Sequence, residues 1–320
     1  MHIQSFSNNV KIGKMKKIQI HILIPVFEDF NCLPVLLKRI DQNLKDYCNY
    51  EILIIDDGSL RNLDQKSKLI HSRQINILTL SQNVGHQRSI AIGICHLSEY
   101  KRCDFVLIMD GDGEDNPLDV KKLINKSIEL GKSHVVFARR DVRSEPLSFK
   151  FGYLTYRILF RLSTGKNIKF GNFSLIPFSM VTRLTGMPEL WNHYASGILA
   201  SKLPIYEVST KRTGRITGRP KMNLNSLILH GISSITIFIN IFALRISLSL
   251  SFLLSVSLIL NLFSNLYKLP IPKIFYGTEL ICTLSIMSFQ SYLFLMATVS
   301  KRTNYPCIPS NFWKNFINKK

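Results

Sequence analysis

Five short apolar runs punctuate the first 140 residues, at 18–26, 50–55, 75–80, 105–109 and 135–138. Each has the length of a strand, and their near-continuous Ile, Leu and Val content suits strands buried on both faces. The segments between them, at 32–45, 62–72, 87–97 and 117–130, carry apolar residues at helical spacing. Strand and helix in alternation predict an α/β domain with a mostly parallel sheet and helices on both faces.

Beyond residue 221 the pattern changes. Ionisable side chains become scarce up to Ser300, and two stretches, 246–263 and 280–300, are long and apolar enough to cross a bilayer. The serines of the first (Ser247, Ser249, Ser251, Ser255 and Ser257) can bond back to their own helix. Segment 224–242 is apolar but places Ser226, His230, Ser233 and Asn240 at helical spacing, with Asn223 just before it, which predicts a helix lying in the membrane interface. Basic residues flank both sides of this half: Lys211 to Lys221 before it, and Lys301, Arg302, Lys314, Lys319 and Lys320 after it. Basic flanks stay on the cytoplasmic side, so the number of spans is expected to be even. The expected layout is a tail at 1–17, a cytoplasmic domain at 18–221, an interfacial helix at 222–243, a two-span region at 244–300 and a basic cytoplasmic tail at 301–320.

The formal net charge of +20 includes those flanks. No nucleic-acid-binding motif accompanies it, and an anionic leaflet accounts for it more simply. The six cysteines show neither C-x-x-C pairing nor zinc-like spacing and are expected as reduced thiols. The N-terminal residues are polar and basic without an apolar core, so no secretory signal is read there.

Three of the predicted strands end in acids. The first runs into Pro25, Phe27, Glu28 and Asp29, the second into Asp56 and Asp57, and the fourth into Asp110, Gly111 and Asp112. Ligands of open α/β sheets bind beyond the carboxyl ends of the strands, so one crevice is expected to collect these acids. Two carboxylates two residues apart suit a hard divalent cation, Mg²⁺ or Mn²⁺, that keeps positions open for diphosphate oxygens. No G-x-G-x-x-G follows the first strand, which argues against a dinucleotide-binding dehydrogenase.

In order along the chain stand Pro25-Val-Phe-Glu28, Asp56-Asp57-Gly58-Ser59, Asn83-Val-Gly85-His86-Gln87, Asp110-Gly111-Asp112, Ala138-Arg139-Arg140, Gly171-Asn172-Phe173 and Arg215-Ile-Thr-Gly218-Arg-Pro-Lys221. Together these resemble the family 2 glycosyltransferases of the GT-A fold, of the dolichol-phosphate-mannose synthase and polyprenyl-phosphate glycosyltransferase kind. The resemblance implies that Pro25, Phe27, Glu28 and Asp57 hold the nucleoside, and that Asp110 and Asp112 hold metal and diphosphate. It further implies that Arg139 approaches the donor and that Arg215 and Lys221 grip the departing diphosphate. Glu28 and Asp57 retain an alternative as capping and turn acids, and Arg215 and Lys221 one as juxtamembrane anchors. Two positions depart from the pattern of many relatives: Glu114-Asp115-Asn116-Pro117 replaces Gln-Asp-Pro-Pro, and Asn172 replaces an aspartate.

The expected activity is inverting transfer of a hexose from a nucleotide-diphospho-sugar to polyprenyl phosphate at the cytoplasmic membrane face, with homo-oligomerisation left open. A second reading transfers the sugar to a hydroxyl of a lipid-linked saccharide and needs a base. His193 is the residue for that role, standing where many relatives carry an acid, with a packed, hydrogen-bonded histidine as the alternative. A third reading is a non-catalytic nucleotide-sugar-binding membrane protein.

Overall fold

The computed structural model describes residues 17–60, 74–100, 102–140, 147–211, 213–216, 224–267, 274–303 and 311–318. A seven-stranded sheet runs in the order β3-β2-β1-β4-β6-β5-β7. Its strands are β1 (Gln19–Val26), β2 (Asn49–Asp56), β3 (Ile75–Thr79), β4 (Phe105–Ile108), β5 (Val135–Arg140), β6 (Phe170–Pro177) and β7 (Ile205–Thr210). The predicted helix at 62–72 lies outside the described residues, and so do residues 1–16 of the expected tail.

The five predicted strands are all present, and β1, β2, β3 and β4 pair in parallel. β6 and β7 were not foreseen. β6 runs antiparallel to both β4 and β5, so the sheet is mixed at this side. β5 continues to Arg140, so Arg139 lies within the strand and not at its end.

Helices α1 (Leu33–Leu44) and α3 (Pro117–Glu129) cover one face, where Ile22, Ile54, Leu107 and Val120 are buried together. α3 starts where Asn116 Oδ1 accepts from the Leu118 amide at 3.1 Å and Pro117 stands at the first turn. The opposite face packs α2 (His86–Tyr100), α5 (Phe178–Thr185), α6 (Pro188–Asn192) and α7 (Tyr194–Ala200) against Leu23, Val106 and Phe137. The amphipathic α4 (Leu147–Thr164) leaves Leu154, Ile158 and Leu162 exposed, one turn apart along one side.

The apolar half forms α8 (Leu224–Thr236), α9 (Ile239–Leu266) and α10 (Ile274–Thr303). The expected interfacial helix is shorter than 222–243: it ends at Thr236, turns at Ile237 and Phe238, and gives way to α9. Among the described residues one helix stretch is long and apolar enough to cross a membrane, Ile239–Ser257, and Cys282–Met296 is a shorter apolar stretch. The first stretch begins before Ile246 and so includes Arg245, which finds partners at the helix surface. Its guanidinium donates to the carbonyls of Arg161 and Leu162 at the end of α4, at 3.4 and 3.0 Å. α9 and α10 pack on each other through Ala243 and Leu293, and Gln290 Nε2 donates to the Ser247 carbonyl at 2.7 Å and to Ser251 Oγ at 3.1 Å.

The expected basic tail is part of the fold. A 3₁₀ turn, Phe312–Phe316, carries Trp313 into the same core as Leu80, Ile90 and Val106, with 2% of its surface exposed. After α10 the chain therefore returns to the α/β domain.

Candidate functional site

β2, β1 and β4 are neighbours in the sheet, so their acidic carboxyl ends lie side by side, as the crevice argument requires. Glu28 adopts a left-handed backbone, φ 53°, at the end of β1. Two bonds hold this strained turn: its amide donates to Ser59 Oγ at 2.9 Å, and its Oε1 accepts from the Leu60 amide at 2.7 Å. Pro25 is buried and Phe27 stays exposed at the rim.

Asp56 and Asp57 are both buried and serve the loops. Asp56 Oδ1 accepts from the Ser59 amide at 3.0 Å, whereas Asp57 accepts from the amides of Val84 and Gly85 at 2.8 and 3.0 Å. Burial pushes the Asp57 carboxyl above its usual pKa despite these donors. Loop 82–85 lies so close that a Cβ at Gly58 would stand 2.5 Å from the Gln82 carbonyl carbon. Asp57, expected to contact the base, thus fastens the loop that delivers His86.

His86 begins α2 and points at the acidic pair, its Nε2 3.2 Å from Asp110 Oδ1. Desolvation alone lowers its pKa, but the hydrogen bond to Asp110 and the charges of Asp110, Asp112 and Asp57 outweigh it and the net shift is upward. Asn172 Nδ2 lies 3.1 Å from the same ring nitrogen. Gln87 Nε2 reaches Asn172 Oδ1 at 3.5 Å, and Gln87 Oε1 accepts from the Tyr194 amide at 2.6 Å. Asn172 therefore ties β6 to α2.

The D-x-D turn is braced from within. The Asp110 amide donates to Asp115 Oδ2 and the Glu114 amide to Asp112 Oδ1, both at 3.0 Å. Asp115, 4% exposed, is thus a buried support that sequence reasoning left without a role. Glu114 faces the other side, lining a small cavity with Asp115, Asp119, Ala138, Gly171 and Lys211.

Segment 213–216 closes over this turn: the amides of Thr213 and Ile216 donate to the carbonyls of Glu114 and Asp112 at 3.0 and 3.1 Å. Arg215 is drawn in with it. Its Nη2 lies 3.0 Å from Asp29 Oδ2, and its Nη1 lies 3.9 Å from Asp112 Oδ2. Asp29 and Arg215 are 186 positions apart, so no local pattern reveals the pair. Lys221 and Gly218 lie outside the described residues. Arg139 has a carboxylate partner on β7, Glu207 Oε2 at 3.6 Å, and stands on β5, two strands from β4.

His193 separates α6 from α7. Its Nδ1 accepts from the Ser196 amide at 3.2 Å, a cap for α7, and its ring lies against that of His230 on α8, centroids 4.5 Å apart. Burial, and then the neighbouring His230, push the His193 pKa down to about 3. Desolvation also lowers the pKa of His230, which feels the charges of His86 and Asp110. The polar stripe of α8 thus faces the α/β domain: Asn192 Nδ2 also donates to Thr236 Oγ1 at 3.0 Å, and Tyr156 Oη pairs with Ser234 Oγ at 2.7 Å. The apolar residues Ile228, Leu229 and Ile232 are exposed, at 50% or more, whereas Ile235 packs inward.

Two carboxylates at a strand end, with a guanidinium across from them, fit a divalent cation shared with a diphosphate. Among the described residues no third His, Cys, Asp or Glu completes a cage, so the remaining ligands would come from phosphate oxygens and water. Residues 21–185 match the profile of glycosyl transferase family 2. The chain belongs to that family.

An undecaprenyl-phosphate 4-deoxy-4-formamido-L-arabinose transferase of Klebsiella pneumoniae is 29% identical over 153 residues, 46% of this chain and 45% of that protein. The chain thus spans about half the length of that relative. A bactoprenol glucosyl transferase of Shigella phage SfV is 28% identical over 236 residues, 69% of this chain and 73% of that one. Two solved structures share the fold. Mannosyl-3-phosphoglycerate synthase from Rubrobacter xylanophilus superposes with a TM-score of 0.51 at 14% identity, covering 68% of this chain and 72% of that one. Glucosyl-3-phosphoglycerate synthase from Mycobacterium tuberculosis, crystallised with Mn²⁺, UDP and glucosyl-3-phosphoglycerate, gives 0.52 at 16%, covering 70% and 80%. The architecture is the GT-A α/β fold with a mostly parallel sheet.

Proposed function

We propose that this family member is an inverting transferase that moves a hexose from a nucleotide-diphospho-sugar to polyprenyl phosphate at the cytoplasmic face of a membrane. The observation that carries this reading is the joint at His193 and His230, where the helix leading into the apolar hairpin packs beside the acidic crevice. A lipid-borne acceptor can meet the donor there without leaving the bilayer surface. The relatives named for undecaprenyl phosphate and bactoprenol support the same acceptor class.

On this reading Asp110 and Asp112 hold a divalent ion, Mg²⁺ or Mn²⁺, which would supply charge neutralisation for the leaving diphosphate. Arg215 lies against Asp112 and adds fixed positive charge at the same place, and Lys221 is proposed to join it. Pro25, Phe27 and Glu28 form the edge on which the nucleoside rests, behind the braced loop of Asp57. Arg139 is proposed to approach the sugar side once its pairing with Glu207 yields. An acceptor phosphate is already ionised and attacks the anomeric carbon without a base. His193, neutral at physiological pH and capping α7, is poorly suited to take a proton, which favours the phosphate acceptor over the hydroxyl one.

The membrane anchor is proposed to be a two-span hairpin of α9 and α10. α8 joins the α/β domain before the pair and Trp313 rejoins its core after it, which supports an even number of crossings. α4 and α8 would rest on the headgroups with Ile158, Leu162, Ile228 and Ile232 directed into them.

The test is to incubate purified protein with undecaprenyl phosphate, Mn²⁺ and a panel of radiolabelled nucleotide sugars. An acid-labile, lipid-extractable product is expected from one of them, and none from Asp112→Asn of unchanged thermal stability. Transfer retained in Asp112→Asn would reject the metal assignment, and a product stable to mild acid would favour the hydroxyl acceptor.

A further inference from the structure

The segment after α10 reaches the donor side of the domain at three points. The Ser81 amide donates to the Phe316 carbonyl at 2.8 Å, and the Asn318 amide donates to the Thr79 carbonyl at 3.0 Å. Leu80 and Ile317 form an antiparallel bridge between them, so the tail adds a short strand at the edge of β3. Trp313 sets its ring edge-on to His96 of α2, with centroids 5.2 Å apart, and Lys314 pairs with Glu99 one turn further along. On its other side the tail meets α6, where Trp191 lies 5.3 Å from Phe312 and 6.0 Å from Phe316.

Loop 81–85 hangs between this attachment and Asp57. Its start is held by Phe316 through Ser81, its end by Asp57 through Val84 and Gly85, and it then releases His86 onto Asp110. An exposed loop with one end untied opens more often than one tied at both, because local opening follows the bonds and contacts that resist it.

We propose that the tail residues Trp313 and Ile317–Asn318 are positioning residues for the donor site, clamping loop 81–85 so that His86 is presented to Asp110. The clamp makes the hairpin a closed insertion in the catalytic domain: one end leaves through α8 beside His193, the other returns under the donor loop. The active-site crevice is thereby fixed relative to the hairpin at both ends. This assignment rests on the donor reading given above, but the clamp itself is measurable without a donor.

The experiment uses the full chain in detergent. Asn318→Pro removes the amide that donates to the Thr79 carbonyl, and Ile317 already has the extended backbone that precedes proline, so the core is left intact. Trp313→Ala is the stronger variant, and Lys314→Ala, which loses the ion pair with Glu99 and the ammonium over the Trp313 ring but leaves the backbone bonds to Thr79 and Ser81 in place, is the control. Hydrogen exchange is read at the amides of Val84 and Gly85 with no ligand present, and UDP with Mn²⁺ is then titrated. In Asn318→Pro, exchange at these two amides is expected to rise about five- to tenfold, the change that loss of one intramolecular hydrogen bond gives. The amides of β1 and β4 should be unchanged. UDP·Mn²⁺ should bind more weakly by a similar factor, while the control behaves as wild type. Unchanged exchange at Val84 and Gly85, or an equal rise throughout the sheet, would overturn the clamp. Faster exchange there in a protein whose wild type binds no UDP·Mn²⁺ would support the clamp and count against UDP as the donor nucleotide.

Discussion

The α/β domain and the helices that follow it use the same residue types in opposite directions. In the sheet Ile22, Leu107 and Val136 are fully buried, and polar groups sit at strand ends. In α9 and α10 Phe252, Leu253, Leu262, Phe294 and Leu295 are each at least 60% exposed, while Gln290, Ser247 and Ser251 bond between the helices. α8 repeats the inversion at the boundary, with histidine and serine against the protein and isoleucine outward. In water such a surface of apolar side chains would be costly, and in hydrocarbon it costs nothing. On the membrane reading proposed above, the contrast is that of one chain folded in two solvents.

The contrast can be broken by one substitution made in both regions. Leu107→Ala should destabilise the domain by about 2–5 kcal/mol, since it opens a cavity among side chains that do not collapse into it. Leu253→Ala should leave the domain's melting temperature unchanged, because surface truncations stay within about 0.5 kcal/mol. Thermal melts in detergent, followed by near-UV absorption, decide the matter: equal losses in the two variants would mean that Leu253 is packed against protein.

The two regions were not equally legible. Strands β1, β2 and β4 announce themselves because burial on both faces demands unbroken apolar runs. β6 escaped because Gly171, Asn172 and Ser174 interrupt it, and its place is set by antiparallel pairing with distant strands. The acidic pair Asp110 and Asp112 could be read from a strand end. The partner of Arg215 could not, because Asp29 is brought to it only by the fold. Trp313 stood among basic residues that looked like a solvated tail, and its burial comes from packing on α2 and at the sheet edge near Leu80, which only the fold brings to it. In α8 a helix was read, but Asn240 of its polar set falls in α9, and periodicity does not say which face meets protein.

The joint between the two regions offers a sharper probe. His193 is neutral in the folded protein, with its pKa pushed to about 3 by burial and by His230, whereas an unfolded histidine takes a proton near pH 6.5. Below that pH the unfolded state binds more protons, so stability is full above about 6.5 and falls as the pH drops toward 3. At pH 5 the loss from this group is on the order of 2 kcal/mol. His193→Asn supplies a capping oxygen for the Ser196 amide and removes the titration. Denaturant melts at pH 7 and pH 5 should show a smaller acid loss in the variant than in wild type. Equal losses would mean that the His193 ring is solvated at the joint.

The smallest effect is expected inside the hairpin. Gln290 is the polar residue that bridges α9 and α10, and its two bonds reach one backbone carbonyl and one hydroxyl. Interhelical bonds of this kind contribute roughly 0.6–2 kcal/mol in a bilayer, less than intuition about low dielectric suggests, because the separated helices find other partners. Gln290→Leu should therefore weaken the hairpin by about 1 kcal/mol in lipid while leaving transfer by the intact protein almost unchanged. Cross-linking of a cysteine pair placed at Ala243 and Leu293, scored with and without Gln290→Leu in lipid nanodiscs, reads the helix contact directly. A loss of cross-linking accompanied by loss of activity would show that the hairpin positions the crevice through its own packing. A loss of cross-linking with activity retained would assign that positioning to the two attachments at His193 and Trp313.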